Sequence, residues 1–162
     1  MRLIAILGCC LLATVLQAQP GSSSRVPLSR HTLWLEGDWF PDRSGPTLFS
    51  AVGYEYTYGR TPDGYVQAGV RLGLAGGIPL REDQTLFWLV PLTHHLHIGS
   101  GAHRFEASIG AAYLYVPGGT SLVLPLAPIV QAGYRYQPRS RGLTWRVHVG
   151  SPGIGASVGW AF

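Results

Sequence analysis

Four histidines crowd one stretch of the chain: His94, His95 and His97, with His103 just beyond Gly99-Ser-Gly101. In an extended strand, residues i and i+2 share a face, so His95 and His97 could hold a divalent metal with His103. Glu106 is the sole carboxylate close by, and histidines beside a hairpin serve as interfacial or turn residues. No metal ligands are therefore expected. His148 and Ser151 pose a second question, nucleophilic catalysis, which needs an acidic third member to orient the imidazole. No carboxylate stands beside them in the sequence, so no catalytic residue is expected, and no cofactor-binding residue either. A third set is larger and better balanced. Arg71, Arg104, Arg135 and Arg146 match Glu36, Asp38, Glu55 and Glu106 in number, with His148 among them. An unpaired buried charge costs several kcal/mol, so several of these should meet as buried ion pairs with a structural duty.

Each of these charges stands alone inside an otherwise apolar, alternating segment. Period-two alternation between Gly, Pro, Asp and Ser clusters predicts eight strands. They cover His31 to Phe40, Thr47 to Tyr58, Gly64 to Ala75, Thr85 to His97, His103 to Val116, Leu122 to Tyr136, Leu143 to Gly150 and Ile154 to Phe162. Turn chemistry separates them, as in Arg60-Thr-Pro-Asp-Gly64 and Pro138-Arg-Ser-Arg-Gly142, and Ala75 to Gln84 is expected as the longest polar connection. The seventh segment sets Leu143, Trp145, Val147 and Val149 against Thr144, Arg146, His148 and Gly150. The fifth sets Phe105, Ala107, Ile109 and Ala111 against Arg104, Glu106, Ser108 and Gly110. In the fourth, Phe87-Trp-Leu-Val90 runs together and Pro91 interrupts, so neither face stands out.

Alternation alone fits a soluble sandwich as well as a membrane barrel. The make-up of the polar face separates them. It holds glycine, alanine and serine with isolated charges, as the narrow interior of an eight-stranded barrel requires. Charged residues are 12% of the chain, about half the usual share. A closed barrel in a bilayer accommodates so few charges, because every backbone group is paired and the outside can be apolar. The fold expected is an all-β, eight-stranded antiparallel up-and-down transmembrane barrel at residues 31–162. Trp34, Trp39, Tyr54 to Tyr58, Tyr113, Tyr115, Tyr134, Tyr136 and Trp160 lie near strand ends and are expected to form interfacial girdles.

The N-terminus reads as a cleaved secretory signal peptide, residues 1–18, with Arg2 ahead of a charge-free Leu3 to Leu16. A lipoprotein signal at Ile6-Leu-Gly-Cys9 is the weaker alternative. Both cysteines, Cys9 and Cys10, fall inside this segment, so no disulfide or thiolate chemistry is expected beyond it. Residues 19–30 would be a short periplasmic lead. All twelve basic residues are arginine, scattered singly, and nucleic-acid binding is not expected.

Ile154, Ala156, Val158, Trp160 and Phe162 form an apolar face opposite Gly155, Ser157, Gly159 and Ala161. This resembles the last strand of bacterial outer-membrane barrels, whose final aromatic is part of the signal read by the barrel-assembly machinery. That resemblance gives Trp160 and Phe162 the role of assembly signal. His103-Arg-Phe-Glu-Ala-Ser-Ile-Gly-Ala-Ala-Tyr113, Gly133-Tyr-Arg-Tyr-Gln-Pro138 and Gly159-Trp-Ala-Phe162 are similar to segments of small outer-membrane barrel proteins of Bacteroidota. The resemblance implies fold and an outer-membrane location, with no assigned reaction.

The expectation is a monomeric integral barrel with a structural or interaction role, a lumen filled by side chains, and outer-membrane lipid and the assembly machinery as partners. Two alternatives differ in class. One is a lipid A-modifying enzyme, which the chain resembles in size, although the His-x-Ser pattern of the deacylases is absent after His103 and His148. The other is a soluble secreted β-sandwich or lipocalin-like binding protein.

Overall fold

The computed structural model describes residues 29–41, 45–80, 86–117, 126–138, 141–151 and 153–162. The expected signal peptide, most of the 19–30 lead and the expected start of strand six lie outside these residues. Eight strands follow in order: β1 His31–Phe40, β2 Thr47–Arg60, β3 Val66–Pro79, β4 Phe87–Ile98, β5 His103–Tyr115, β6 Leu126–Tyr136, β7 Gly142–Ser151 and β8 Gly153–Ala161. Each pairs antiparallel with its neighbour in sequence, and β1 pairs with β8, closing a barrel. No helix occurs among the described residues.

The start of β1 and the end of β8 lie at one end, where Phe162 N donates to His31 O (2.9 Å) and His31 N to Phe162 O (3.2 Å). The turns at this end, β2–β3, β4–β5 and β6–β7, are short. Gly64 (φ +72°) and Gly101 (φ +69°) take the left-handed backbone that two of these reversals demand. The far end carries the β1–β2, β3–β4 and β5–β6 connections and the abrupt β7–β8 hairpin.

The alternation sorts side chains by chemistry. Leu33, Leu35, Val52, Leu72, Leu92, Ile109, Val130, Val147, Ile154 and Val158 face outward and are exposed, while Thr32, Glu55, Arg71, Glu106, Arg135 and Arg146 face inward and are buried. β4 is resolved by the fold: Phe87, Leu89, Pro91, Thr93, His95 and His97 take the inward side. Trp88, Val90 and Leu92 face out.

Two expectations are corrected. β3 runs on to Pro79, pairing Gly76 with Ser50 and Gly77 with Phe49, so the connection predicted from residue 76 starts later. The glycine pair makes room for neighbours: a Cβ at Gly77 would stand 2.4 Å from the Phe87 ring, and one at Gly76 would touch Trp88. Trp34, assigned to an interfacial girdle, is 6% exposed and inside the lumen. The other girdle aromatics face outward, toward one end or the other. Trp39, Tyr113 and Tyr115 stand in the far half, where Trp88 joins them, and Tyr58, Tyr134 and Trp160 in the terminus-side half, where Trp145 joins them.

Candidate functional site

Two carboxylates form the centre of the lumen. Glu55, on β2, accepts from Arg71 Nη2 (2.7 Å) and Nε (3.2 Å) and from Arg135 Nη1 (2.7 Å). Glu106, on β5, accepts from Arg71 Nη2 (2.9 Å), Arg146 Nη1 (2.6 Å), Ser108 Oγ (3.3 Å) and His97 Nε2 (3.1 Å). Arg71 therefore bridges both acids. Arg146 reaches on to Glu36 and donates Nε to Ser157 Oγ (2.8 Å). Charge-assisted bonds of this kind are stronger than neutral ones, and here they are shielded from water.

The sheet explains who meets whom. Glu55 and Arg71 are direct cross-strand partners on β2 and β3. Arg135 and Arg146 come from β6 and β7 on the opposite wall and reach across the lumen. The narrow bore of eight strands makes that span possible. Arg104 sits apart, toward the terminus end, donating to Gly64 O (3.1 Å) and Gly101 O (3.3 Å). Trp34 lies flat below two of the guanidiniums, with Arg71 Cζ 5.6 Å and Arg146 Cζ 5.7 Å from its ring.

His148, expected among the lumen charges, has a carboxylate that its sequence neighbours do not supply. Its Nε2 lies 2.6 Å from Asp38 Oδ1, contributed by β1 across β8. A triad is not assembled, because Ser151 Oγ turns away to donate to Pro128 O (3.2 Å). The reading of the histidine cluster is also corrected. His95 and His97 are buried in the lumen, stacked with centroids 4.6 Å apart, whereas His103 faces outward and hydrogen-bonds Tyr134 Oη. Sequence spacing could not separate these roles, because the strand reverses between them.

Two groups offer three candidate metal-ligand atoms each: Glu55, His95 and His97, and Glu36, Asp38 and His148. Guanidiniums already occupy the carboxylates in both. Arg71 and Arg135 neutralise Glu55, and Arg146 neutralises Glu36, so a divalent cation would meet positive charge at close range.

Among the described residues the lumen is filled by side chains in its middle, and a small cavity opens in the far half. The cavity measures about 70 Å³. Its floor is Trp34, Glu36, Asp38, Arg71 and Arg146, and its walls include Phe49, Ala75, Leu89, Pro91, Ala112 and Ile129. The first half of β4, Phe87 to Pro91, is apolar on both faces for this reason. No known protein family, curated protein or solved structure matches the chain.

Proposed function

We propose that the chain is an integral barrel of a bacterial outer membrane, with a structural or interaction role and no reaction of its own. One observation carries this reading: the protein is apolar outside and charged inside. Leu35 is 60% exposed and Val130 58%, while Glu55 is 1% and Arg135 2% exposed. A water-soluble lipocalin-like barrel has the reverse distribution, since burying apolar surface is the main drive to folding in water. In hydrocarbon, an apolar exterior is solvated, and the closed ladder leaves few backbone groups unpaired. The girdle aromatics at both ends of the strands add support.

Trp160 and Phe162 would present the assembly signal on the outer face of β8, and outer-membrane lipid would surround the rest. The direct test is electrophoretic migration of the membrane-extracted protein with and without boiling. A folded barrel in detergent should migrate faster before heating than after. A single form at both temperatures, or a monomer that stays folded in detergent-free buffer, would overturn the proposal.

A further inference from the structure

We propose that the terminus-side mouth of the lumen binds a phosphate group, held by Arg30 and Arg60. Residues opposite each other on a ladder share a face. Thr57 N donates to Arg30 O (2.8 Å), and Thr57 is buried inside the barrel, so Arg30 stands on the inward side at the rim. Arg60 is the ladder partner of Gln67, also buried in the lumen, and takes the same side. The inward positions nearest this end are therefore basic or neutral: Arg30, Thr57, Arg60, Gln67 and Arg104. The next inward acid along β2, Glu55, lies deeper and is taken by Arg71 and Arg135. Arg104 ties the β2–β3 turn to the β4–β5 turn through Gly64 O and Gly101 O, adding positive charge to the same level.

Arg30 and Arg60 have no counter-ion among the described residues. They stand close enough for their two charges to repel. Arg60 is half-buried, and its Nε, shut away from solvent, makes no hydrogen bond. Like charges side by side, with a buried donor unspent, are destabilising until an anion bridges them. Asp63, the acid nearest in sequence, serves its own turn: its Oδ1 accepts from Thr61 Oγ1 (2.5 Å) and Tyr65 N (3.0 Å). The sequence has the same polarity. The stretches joining strands at the far end contain Asp42, Glu82 and Asp83 beside Arg43 and Arg81, whereas those at this end contain Asp63 against Arg139 and Arg141.

Phosphate fits this pair better than a carboxylate does. One bidentate guanidinium contact uses both oxygens of a carboxylate, while a phosphate has further oxygens for the second arginine. Arginine's planar fork of donors suits a tetrahedral oxyanion more closely than a point charge would. On the outer surface of the same end, Tyr54, Tyr58 and Tyr134 are exposed. Aromatic belts of this kind sit at headgroup level, so in a bilayer the two arginines stand at the depth of lipid phosphates. A lipid headgroup and a free phosphate share this chemistry, and only the first source rests on the membrane reading above.

The test uses the folded barrel in dodecyl maltoside, a detergent without phosphate. Dimyristoyl phosphatidylglycerol is titrated and read by native mass spectrometry, and labelled inorganic phosphate is titrated by equilibrium dialysis. One bound molecule per barrel is expected in at least one titration, and which one it is identifies the source. Arg30→Gln and Arg60→Gln should each weaken that binding at least tenfold. Arg60→Lys, which keeps the charge and loses the fork of donors, should weaken it several-fold. Arg141→Gln removes an exposed charge at the same end and should change binding less than twofold. Should Arg60→Gln fail to fold, Arg30→Gln, at an exposed position, decides alone. A barrel with heat-modifiable migration that binds neither ligand would overturn the proposal while leaving the membrane reading intact. An effect of Arg141→Gln as large as that of Arg60→Gln would mean surface charge alone and overturn it too. A chain that stays folded without detergent would remove the membrane reading, and the dialysis titration then decides the phosphate site by itself.

Discussion

Glu55 has no water to turn to: its carboxylate is bonded by two guanidiniums and is 1% exposed. Replacing it by glutamine keeps the shape and removes the charge, leaving Arg71 and Arg135 short of a partner. Breaking a buried pair on one side costs about 3–5 kcal/mol. Glu55→Gln is therefore expected to lower the unfolding midpoint in denaturant, measured in lipid vesicles, by a corresponding amount. Glu36→Gln should cost less, because Arg146 retains Glu106 at 2.6 Å. Equal midpoints for wild type and Glu55→Gln would show that the ion network does not hold the lumen together. The sequence provides this network only as matched numbers of acids and arginines. The pairing of Glu55 with Arg135, 80 positions away, depends on two walls facing each other across a narrow bore.

At the scale of strands, the small inward residues gain a reason that alternation alone did not supply. Buried rings stand opposite glycines in the ladder: Trp34 faces Gly53 and Gly159, His95 faces Gly69, and His148 faces Gly133 and Gly155. A Cβ at Gly53 would lie 2.4 Å from Trp34 Cζ2 and 2.5 Å from Leu72 O. Gly53→Ala should therefore destabilise by about 1–3 kcal/mol, the usual cost of overpacking. Combining it with Trp34→Leu should recover only part of the loss, since the clash with the β3 backbone remains. Full recovery in a denaturant titration would point to the ring alone. Placing Trp34 correctly required knowing which residue stands across the ladder, and a one-residue slip would have put it outside. β4 resisted the reading because Leu89 and Pro91 line an apolar cavity, so neither side of its first half is polar. For β8, removal of Phe162 should reduce membrane-assembled barrel while export continues, as read by cell fractionation. Normal membrane levels of the shortened chain would sink the assembly role of that residue.

For the molecule as a whole, the question is which solvent the outer surface meets. Val158, midway along β8 and paired with Leu35 and Trp145, faces outward in the middle of the apolar band. An arginine there should cost about 2–4 kcal/mol if the band lies in hydrocarbon, against about 0–1 for one near the interface. Val158→Arg and Leu48→Arg, the latter one residue from the start of β2, form the comparison in lipid-vesicle unfolding. Similar, small effects at both positions would argue for water around the barrel. The sequence by itself determined the eight strands, their two-faced character and the charge balance of the inner face. Those properties follow from period-two alternation and local turn chemistry, which are written in neighbouring residues. Only the tertiary structure decided which arginine meets which carboxylate, that Asp38 stands beside His148, and that His95 and His103 part company. It also decided that a small cavity opens beyond Trp34. These depend on strand register and on the width of a closed eight-stranded wall, and both link residues far apart in the chain.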